Sequence, residues 1–233
     1  MATLSSHEFS DGRLIAPERV PEGFLWVDSQ GAWSTGKFLL SFVWTSLWCG
    51  ISFPGFTRML LNFLADPHVG RFLMLLFVGM FAAAGVGMIW NGLRWLKIVS
   101  AFQPGEVLLP SYPLRMGETF RLRFRRALRR GHTHRPGKII AKWLCYEWVQ
   151  YRQGTDIETK VHMLWEQDLP TMTVSTGTRV ATYETKLTVL PEGPPSFDAE
   201  HNQVRWEILI SVDVPGIPQD TAHFRFAVVP EAV

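Results

Sequence analysis

Two long uncharged runs dominate the hydropathy pattern in the first half of the chain. They span Phe38–Thr57 and Phe72–Leu93, and a short segment separates them. Because about 20 apolar residues in a helix cross the hydrocarbon core of a bilayer, we expect a two-helix transmembrane hairpin over residues 37–99. A buried helical pair in a soluble protein is the alternative, but such helices rarely run this long without a charge.

Small residues recur along the second run. Gly79, Ala83 and Gly87 are four residues apart, a spacing that places them on one helix face. Small side chains let a second helix approach closely in a membrane. This face is therefore expected to pack either within the hairpin or against another membrane protein or a second copy of the chain.

Basic residues near the two runs indicate an orientation. The segment between the runs contributes Arg58 and Arg71. The outer flanks contribute more basic residues, namely Arg13, Arg19, Lys37, Arg94, Lys97 and Arg115. By the positive-inside rule, both termini and the region after the hairpin are expected on the cytoplasmic side.

The segment before the hairpin, residues 1–36, is mostly polar and contains Pro17 and Pro21. We expect an extended N-terminal tail with little structure of its own. A cleaved signal peptide is not expected, since the apolar stretch of a signal peptide begins much closer to the N-terminus.

Residues 104–233 show the pattern of strands separated by turns. Phe120, Leu122 and Phe124 alternate with arginines, which is the period of a half-buried strand. Further strands are expected at Lys138–Tyr151, Glu158–Trp165, Arg179–Leu190, Val204–Val214 and Ala222–Val229. Short strands at this spacing, without a helical period between them, predict one all-β antiparallel sandwich, arrestin-like or immunoglobulin-like in type.

The predicted strand Lys138–Tyr151 is apolar on both faces. Trp143 and Cys145 share one face, and Trp148 lies on the other with Leu144. We therefore expect a central strand or one with a covered outer face. Core packing is the first interpretation of these tryptophans, and a surface for a partner is the second.

Several segments of this region carry a family resemblance. Leu114-Arg-Met-Gly-Glu-Thr-Phe-Arg-Leu resembles an opening strand of arrestin-like β-sandwiches. Four later segments resemble the late strands of such sandwiches, namely Pro194-Pro-Ser-Phe, Val204-Arg-Trp-Glu-Ile, Pro215-Gly-Ile-Pro and Phe224-Arg-Phe-Ala-Val-Val-Pro. The pattern also resembles uncharacterised bacterial membrane proteins that join such a sandwich to a transmembrane hairpin. The resemblance implies a bacterial inner membrane and a binding or scaffolding module, and it transfers no catalytic residue.

A dense cluster of basic residues begins at Arg121, within the predicted strand in which apolar residues alternate with arginines. Its members are Arg121, Arg123, Arg125, Arg126, Arg129, Arg130, Arg135 and Lys138. Such a cluster suits anionic lipid headgroups or an acidic protein partner, and an ordinary solvated edge is the alternative. Nucleic acid is not expected, because the one aromatic residue interleaved with the arginines, Phe124, is expected to face inward and not to stack with bases.

No motif predicts a metal, a cofactor or a catalytic residue. His132 and His134 lie among arginines, which repel a cation, and the two cysteines, Cys49 and Cys145, stand alone. The leading hypothesis is a membrane-tethered, non-enzymatic interaction or scaffold module. The alternatives are an accessory subunit of a larger membrane complex and an enzyme with an unrecognised site in the sandwich.

Overall fold

A computed structural model describes residues 16–28, 35–129, 137–154, 156–175 and 177–230, with the backbone alone for 35–39. The chain divides into two compact units. We call Trp33–Ser100 the helical unit, and Met1–Ala32 together with Ala101–Val233 the β unit.

The helical unit contains two long helices, α1 (Thr35–Ala65, 31 residues) and α2 (Val69–Ala101, 33 residues). Both are longer than the apolar runs that predict them. Pro54 lies inside α1 and does not end it. Residues 55–65, after Pro54, therefore continue the same helix. Among the described residues, α2 is the one helix that is long and apolar enough to cross a membrane.

The two helices pack through a tryptophan and a glycine. The Trp48 indole Nε1 donates a hydrogen bond to the Phe81 carbonyl at 3.0 Å, and the two rings stack at 5.6 Å. Gly85 is buried, and a Cβ added there would lie 3.2 Å from Cys49 Sγ. The absence of a side chain at Gly85 is what allows this close approach.

Arg71 closes the turn between the helices. Its guanidinium forms an ion pair with Asp66 at 2.8 Å. It also donates hydrogen bonds to the Asp66 and Asn62 carbonyls, at 3.0 and 3.3 Å. Because the last carbonyls of a helix have no partner within it, these bonds cap the C-terminal end of α1.

The described residues of the β unit form thirteen strands. They are β1 (Glu18–Val20), β2 (Gly23–Val27), β3 (Glu106–Leu109), β4 (Leu114–Arg115), β5 (Thr119–Ala127), β6 (Gly137–Gln153), β7 (Asp156–Asp168), β8 (Met172–Val174), β9 (Val180–Thr188), β10 (Phe197–Asp198), β11 (Asn202–Asp213), β12 (Asp220–Phe226) and β13 (Val228–Val229). The first sheet has the order β1-β2-β3-β5-β9, and the second has β10-β11-β6-β7, with β12 on β11 and β8 on β6. Both sheets are antiparallel, and β4 and β13 form a small parallel pair.

The two sheets pack face to face through aromatic side chains. Phe120 on the first sheet contacts Trp143 on the second, with ring centroids 5.5 Å apart. Trp143 also lies 5.7 Å from Trp206 and 5.6 Å from Trp165. The prediction of a large antiparallel β region is confirmed, and β6 is a central strand with β11 on one side and β7 on the other.

The prediction of an unstructured N-terminal tail is wrong for residues Glu18–Val27. They form the hairpin β1–β2, and β2 pairs with β3, which follows α2 in the chain. Trp26 is only 5% exposed and lies in the core between the sheets. Residues 1–15 and 29–34 of the predicted tail lie outside the described part of the chain. The β unit thus contains segments from both sides of the helical unit.

Candidate functional site

Three arginines form a row on the outer face of the first sheet. Arg121, Arg123 and Arg125 alternate along β5 with buried apolar residues, as the period of two predicts. Their side chains are 51, 53 and 64% exposed. This row is the part of the predicted basic cluster that the strand geometry brings together.

Neighbouring strands supply carboxylates to the row, but fewer than there are arginines. Glu184 Oε1 on β9 lies 3.1 Å from Arg121 Nε and 3.5 Å from Arg123 Nε. Arg125 pairs with Glu106 on β3 at 3.2 Å. Lys186 lies directly opposite Arg121 in the β5–β9 register, and it has no ion pair within the described residues. The end of the row at Arg121 therefore carries an excess of positive charge.

Arg126 does not belong to this surface, and its assignment to a binding patch is wrong. Its side chain is 2% exposed and forms an ion pair with Asp220. The guanidinium carbon lies 4.6 Å from the centre of the Phe102 ring, and Nε donates to the Gln103 carbonyl at 3.2 Å. Alternation along β5 turns this residue inward, where an arginine needs such partners to be tolerated.

The remaining members of the cluster do not extend the row. Arg129 is exposed and donates from Nε to the Phe102 carbonyl at 3.3 Å. Lys138 lies on β6 of the second sheet, opposite Asp213. Arg130 and Arg135 lie outside the described residues, as do His132 and His134.

A cleft of about 610 Å³ lies beside the row, on the outer face of the first sheet. We call it the first-sheet cleft. Val20, Leu25 and Leu108 contribute an apolar floor, and Glu22 and the ion pairs Arg123–Glu184 and Arg125–Glu106 line it as well. Its volume is within the range of small-molecule sites. The sequence did not reveal Val20 and Leu25 as site residues, because they belong to the segment predicted to be a tail.

The three residues of the predicted small-residue face of α2 do not share one environment, since one lies against α1 and two are exposed. A Cβ on Gly79 would lie 3.4 Å from the Phe56 ring of α1. Ala83 and Gly87 are exposed, and a Cβ on Gly87 would meet no atom within 4 Å. Within the helical unit, Ala82 and Gly85 are the small residues of α2 that are buried.

A buried polar network lies on the outer face of the second sheet. The Tyr146 hydroxyl donates to Glu207 Oε2 at 2.6 Å, and His223 Nδ1 lies 2.9 Å from Glu207 Oε1. Burial and the charge of Glu207 raise the pKa of Tyr146. Burial favours neutral His223, but the hydrogen bond and charge of Glu207 outweigh this and raise the pKa of His223. Both carboxylate oxygens of Glu207 are thus satisfied within the sheet.

No family model and no curated protein matches the chain. Among solved structures, the chain is similar to Spo0M, a sporulation control protein from Bacillus subtilis, with a TM-score of 0.40 and 13% sequence identity. The similarity covers 57% of this chain and 50% of the Spo0M chain. This is a weak resemblance in fold, and nothing about activity or partners follows from it.

The remaining reactive groups of the described residues are few. Burial raises the pKa of Cys145 to about 12, so its thiol stays protonated at neutral pH and is a poor nucleophile. No group of three or more potential metal ligands occurs among the residues that the structure describes. The first-sheet cleft combines two guanidinium groups, three carboxylates and an apolar floor.

Proposed function

We propose that the chain is a membrane-tethered, non-enzymatic binding module. The helical unit crosses the membrane as a hairpin and holds the β unit on one side. The outer face of the first sheet, with its arginine row and the first-sheet cleft, binds an anionic group of a partner. The observation that carries the binding function is the excess of cations over carboxylates at the Arg121 end of the row, where Arg121 and Arg123 share Glu184 and Lys186 lies opposite Arg121.

The surface of the helical unit supports membrane insertion. Large apolar side chains point outward on both helices, and those more than half exposed include Leu40, Phe42, Trp44, Leu47, Ile51, Leu61, Leu64, Val69, Leu73, Met74, Leu76, Phe77, Met80, Val86, Trp90, Leu93 and Leu96. An apolar surface of this extent in water marks an interaction with membrane or protein. Ser46 and Thr57 donate their hydroxyl protons to carbonyls of α1 itself, at 2.8 and 2.9 Å, which suits an apolar solvent.

The connectivity of the β unit favours two spans over one. β2 precedes α1 and β3 follows α2, and the two strands pair, with Val27 opposite Glu106. Paired strands lie on the same side of a membrane. If α2 crosses the membrane, α1 has to return across it, although α1, at 31 residues, is long enough for a span but less apolar than α2.

We further propose that the β unit faces the cytoplasm of a bacterial cell, at the inner membrane. The flanks of the hairpin carry more basic residues than the turn, where Arg58 and Arg71 lie. Such an asymmetry keeps the more basic side in the cytoplasm.

A soluble anionic probe tests the binding function. The full-length chain is placed in nanodiscs of zwitterionic lipid, and binding of a fluorescent hexa-aspartate peptide is followed by anisotropy. We expect the affinity to fall about tenfold in Lys186→Glu, because a charge reversal at contact distance changes the attraction by about 1–2 kcal/mol. Affinity also falls between about 50 and about 300 mM salt, since exposed charges are screened.

Lys160→Glu is the matched control for this experiment. Lys160 is also an exposed lysine on a strand, but it lies on β7 of the second sheet. Its reversal changes the net charge by the same amount and is expected to leave the affinity within a factor of about two. Equal losses in the two variants would assign the binding to net charge and contradict a site on the first sheet.

An accessory subunit of a membrane complex is the second candidate. The observation that favours it is the exposed position of Ala83 and Gly87, which α1 does not cover. In gentle detergent, a stoichiometric membrane partner would co-purify with the chain and would be lost in Ala83→Leu, because bulk prevents close helix approach. Co-purification that Ala83→Leu leaves unchanged would exclude this face as the contact.

A further inference from the structure

We propose that two copies of the chain associate by pairing their β7 strands edge to edge. The contact is antiparallel and symmetric, with its two-fold axis at Thr159, so that the second sheet continues from one copy into the other. β7 belongs to the second sheet, whereas the arginine row and the first-sheet cleft lie on the first. The inference therefore goes beyond the anion binding proposed above.

β7 is the longest edge strand in the described part of the β unit. It has 13 residues, contains no proline or glycine, and pairs with β6 on one side. Among the described residues, no strand pairs with its other side. The backbone N–H and C=O groups along such an edge form a template for pairing with another extended chain. β7 is therefore suited to accept a further strand.

The far end of the β6–β7 hairpin extends beyond the rest of the second sheet. β11 begins at Asn202, opposite Val149 of β6. β6 continues to Gln153, and β7 begins at Asp156. The end of the hairpin is thus a two-stranded ribbon, on which Ile157 is 68% exposed. Because a two-stranded ribbon is marginally stable by itself, a further strand on β7 would stabilise it.

One register makes two β7 strands complementary in charge. Residues that face each other across an antiparallel pair lie on the same side of the sheet, so a two-fold axis passes through a residue that faces its own copy. With Thr159 at the axis, Glu158 faces Lys160 of the second copy, and the reverse pair forms by symmetry. The same register brings Asp156 opposite His162. Opposite charges at directly facing positions stabilise a strand pair.

Other registers are less suitable. An axis at Glu158 or Lys160 places a charged residue opposite its own copy, and like charges at facing positions are destabilising. An axis at Leu164 pairs opposite charges through Glu166 and Asp168. These two carboxylates already form ion pairs with the Lys142 ammonium of their own chain. Charge therefore favours the register with Thr159 at the axis.

The opposite side of β7 adds apolar contact in the same register. Ile157 and Val161 lie on the side away from the charged residues, and each would face the other across the two copies. Val161 packs against a buried apolar cluster of the second sheet, which consists of Leu144, Tyr146, Trp148 and Leu209. The exposed Ile157 of one copy would thus extend the cluster of the other, and burial of this apolar surface favours association.

Two complementary charge reversals test the pairing on the full-length chain in detergent. Association is measured by energy transfer between donor-labelled and acceptor-labelled copies as the protein concentration is raised. Glu158→Lys and Lys160→Glu should each weaken self-association about tenfold, because each places two like-charge pairs in the contact. An equimolar mixture of the two variants should restore association, since every facing charge pair is again opposite in sign.

Glu192→Lys is the matched control for the charge reversals. Glu192 is exposed and lies outside β7. Its reversal changes the net charge by the same amount as Glu158→Lys and is expected to leave self-association within a factor of about two.

Disulfide formation tests the register. In a Cys49→Ser background, Thr159→Cys should cross-link into dimers under mild oxidation, because facing Cα atoms are about 4.5–5.5 Å apart. Ile157→Cys should not cross-link with itself, since the two copies of this residue would be about 14 Å apart. In a mixture, Ile157→Cys and Val161→Cys should cross-link with each other.

Several results would overturn the inference. They are a chain that stays monomeric at every concentration, self-association that Glu158→Lys leaves unchanged, a mixture of the two variants that does not associate, and cross-linking of Ile157→Cys as fast as that of Thr159→Cys. Hexa-aspartate binding is measured separately, so loss of the pairing leaves the proposed function standing. Because β7 lies on the second sheet, Lys160→Glu remains the charge control in that experiment.

Discussion

Trp26 packs edge-on against Phe226, with ring centroids 5.0 Å apart. Trp26 lies on β2, before the helical unit, and Phe226 lies on β12, near the other end of the chain. Tyr112 completes the contact, with its ring 5.0 Å from that of Trp26. Trp26, which precedes α1 in the chain, therefore completes the core of the β unit.

Removing this contact is expected to destabilise the whole β unit. Because Trp26 is 5% exposed, Trp26→Ala should lower the free energy of unfolding by about 3–5 kcal/mol. Val27→Ala, on the same strand and 47% exposed, should cost less than about 1 kcal/mol. Urea unfolding of the full-length chain in nanodiscs measures both. Equal, small effects would show that the N-terminal hairpin is not part of the core.

Gly85 and Gly87 offer a matched test of helix packing. A Cβ at Gly85 would lie 3.2 Å from Cys49 Sγ, whereas one at Gly87 would meet no atom within 4 Å. Gly85→Leu should therefore lower the stability of the helical unit by about 1–3 kcal/mol through overpacking, and Gly87→Leu should not. Thermal loss of helical circular dichroism in detergent compares them. A larger loss in Gly87→Leu would contradict the observed packing face.

Cys145 should be inert in the folded protein. Burial raises the pKa of its thiol to about 12, and the thiolate is the reactive form. In a Cys49→Ser background, N-ethylmaleimide at about pH 8 should leave Cys145 unmodified until urea unfolds the β unit. Modification of Cys145 at the same rate with and without urea would show that the inner face of β6 is accessible to solvent in the folded protein.

His223 should make stability depend on pH. Its folded pKa is raised above the ordinary value of 6.5, so it binds its proton more tightly in the folded state. This stabilisation is fully present below about pH 6 and is lost as pH rises through the folded pKa. His223→Gln should therefore lower the melting temperature most at low pH, with the difference shrinking above about pH 8. A difference that grows with pH would contradict the His223–Glu207 interaction.

Local patterns in the sequence predicted those features that depend on one strand or helix alone. The alternation along β5 and the two apolar faces of β6 both correspond to the observed structure. The inward position of Arg126 follows from the same alternation, since it has the parity of Leu122 and Phe124. Its position in a run of basic residues obscured that signal.

Features that depend on long-range pairing could not be predicted. β1 and β2 are three and five residues long, and their turn contains Pro21 and Gly23, a composition that a linker shares. They are held by pairing with β3, on the far side of the helical unit. Likewise, the partnership of Glu184 with Arg121 depends on the β5–β9 register, which no local pattern reveals.

Cysteine accessibility in sealed vesicles tests the central claim most directly. The claim is that the two helices span the membrane as a hairpin, and that the chain segments before and after the hairpin form one β unit on the same side. Single cysteines replace Glu22, Glu192 and Val69 in a Cys49→Ser background, and a membrane-impermeant maleimide is added outside or inside. All three positions are exposed. We predict that Glu22→Cys and Glu192→Cys are labelled from one side and Val69→Cys from the other. Labelling of all three from the same side would contradict the membrane-spanning hairpin.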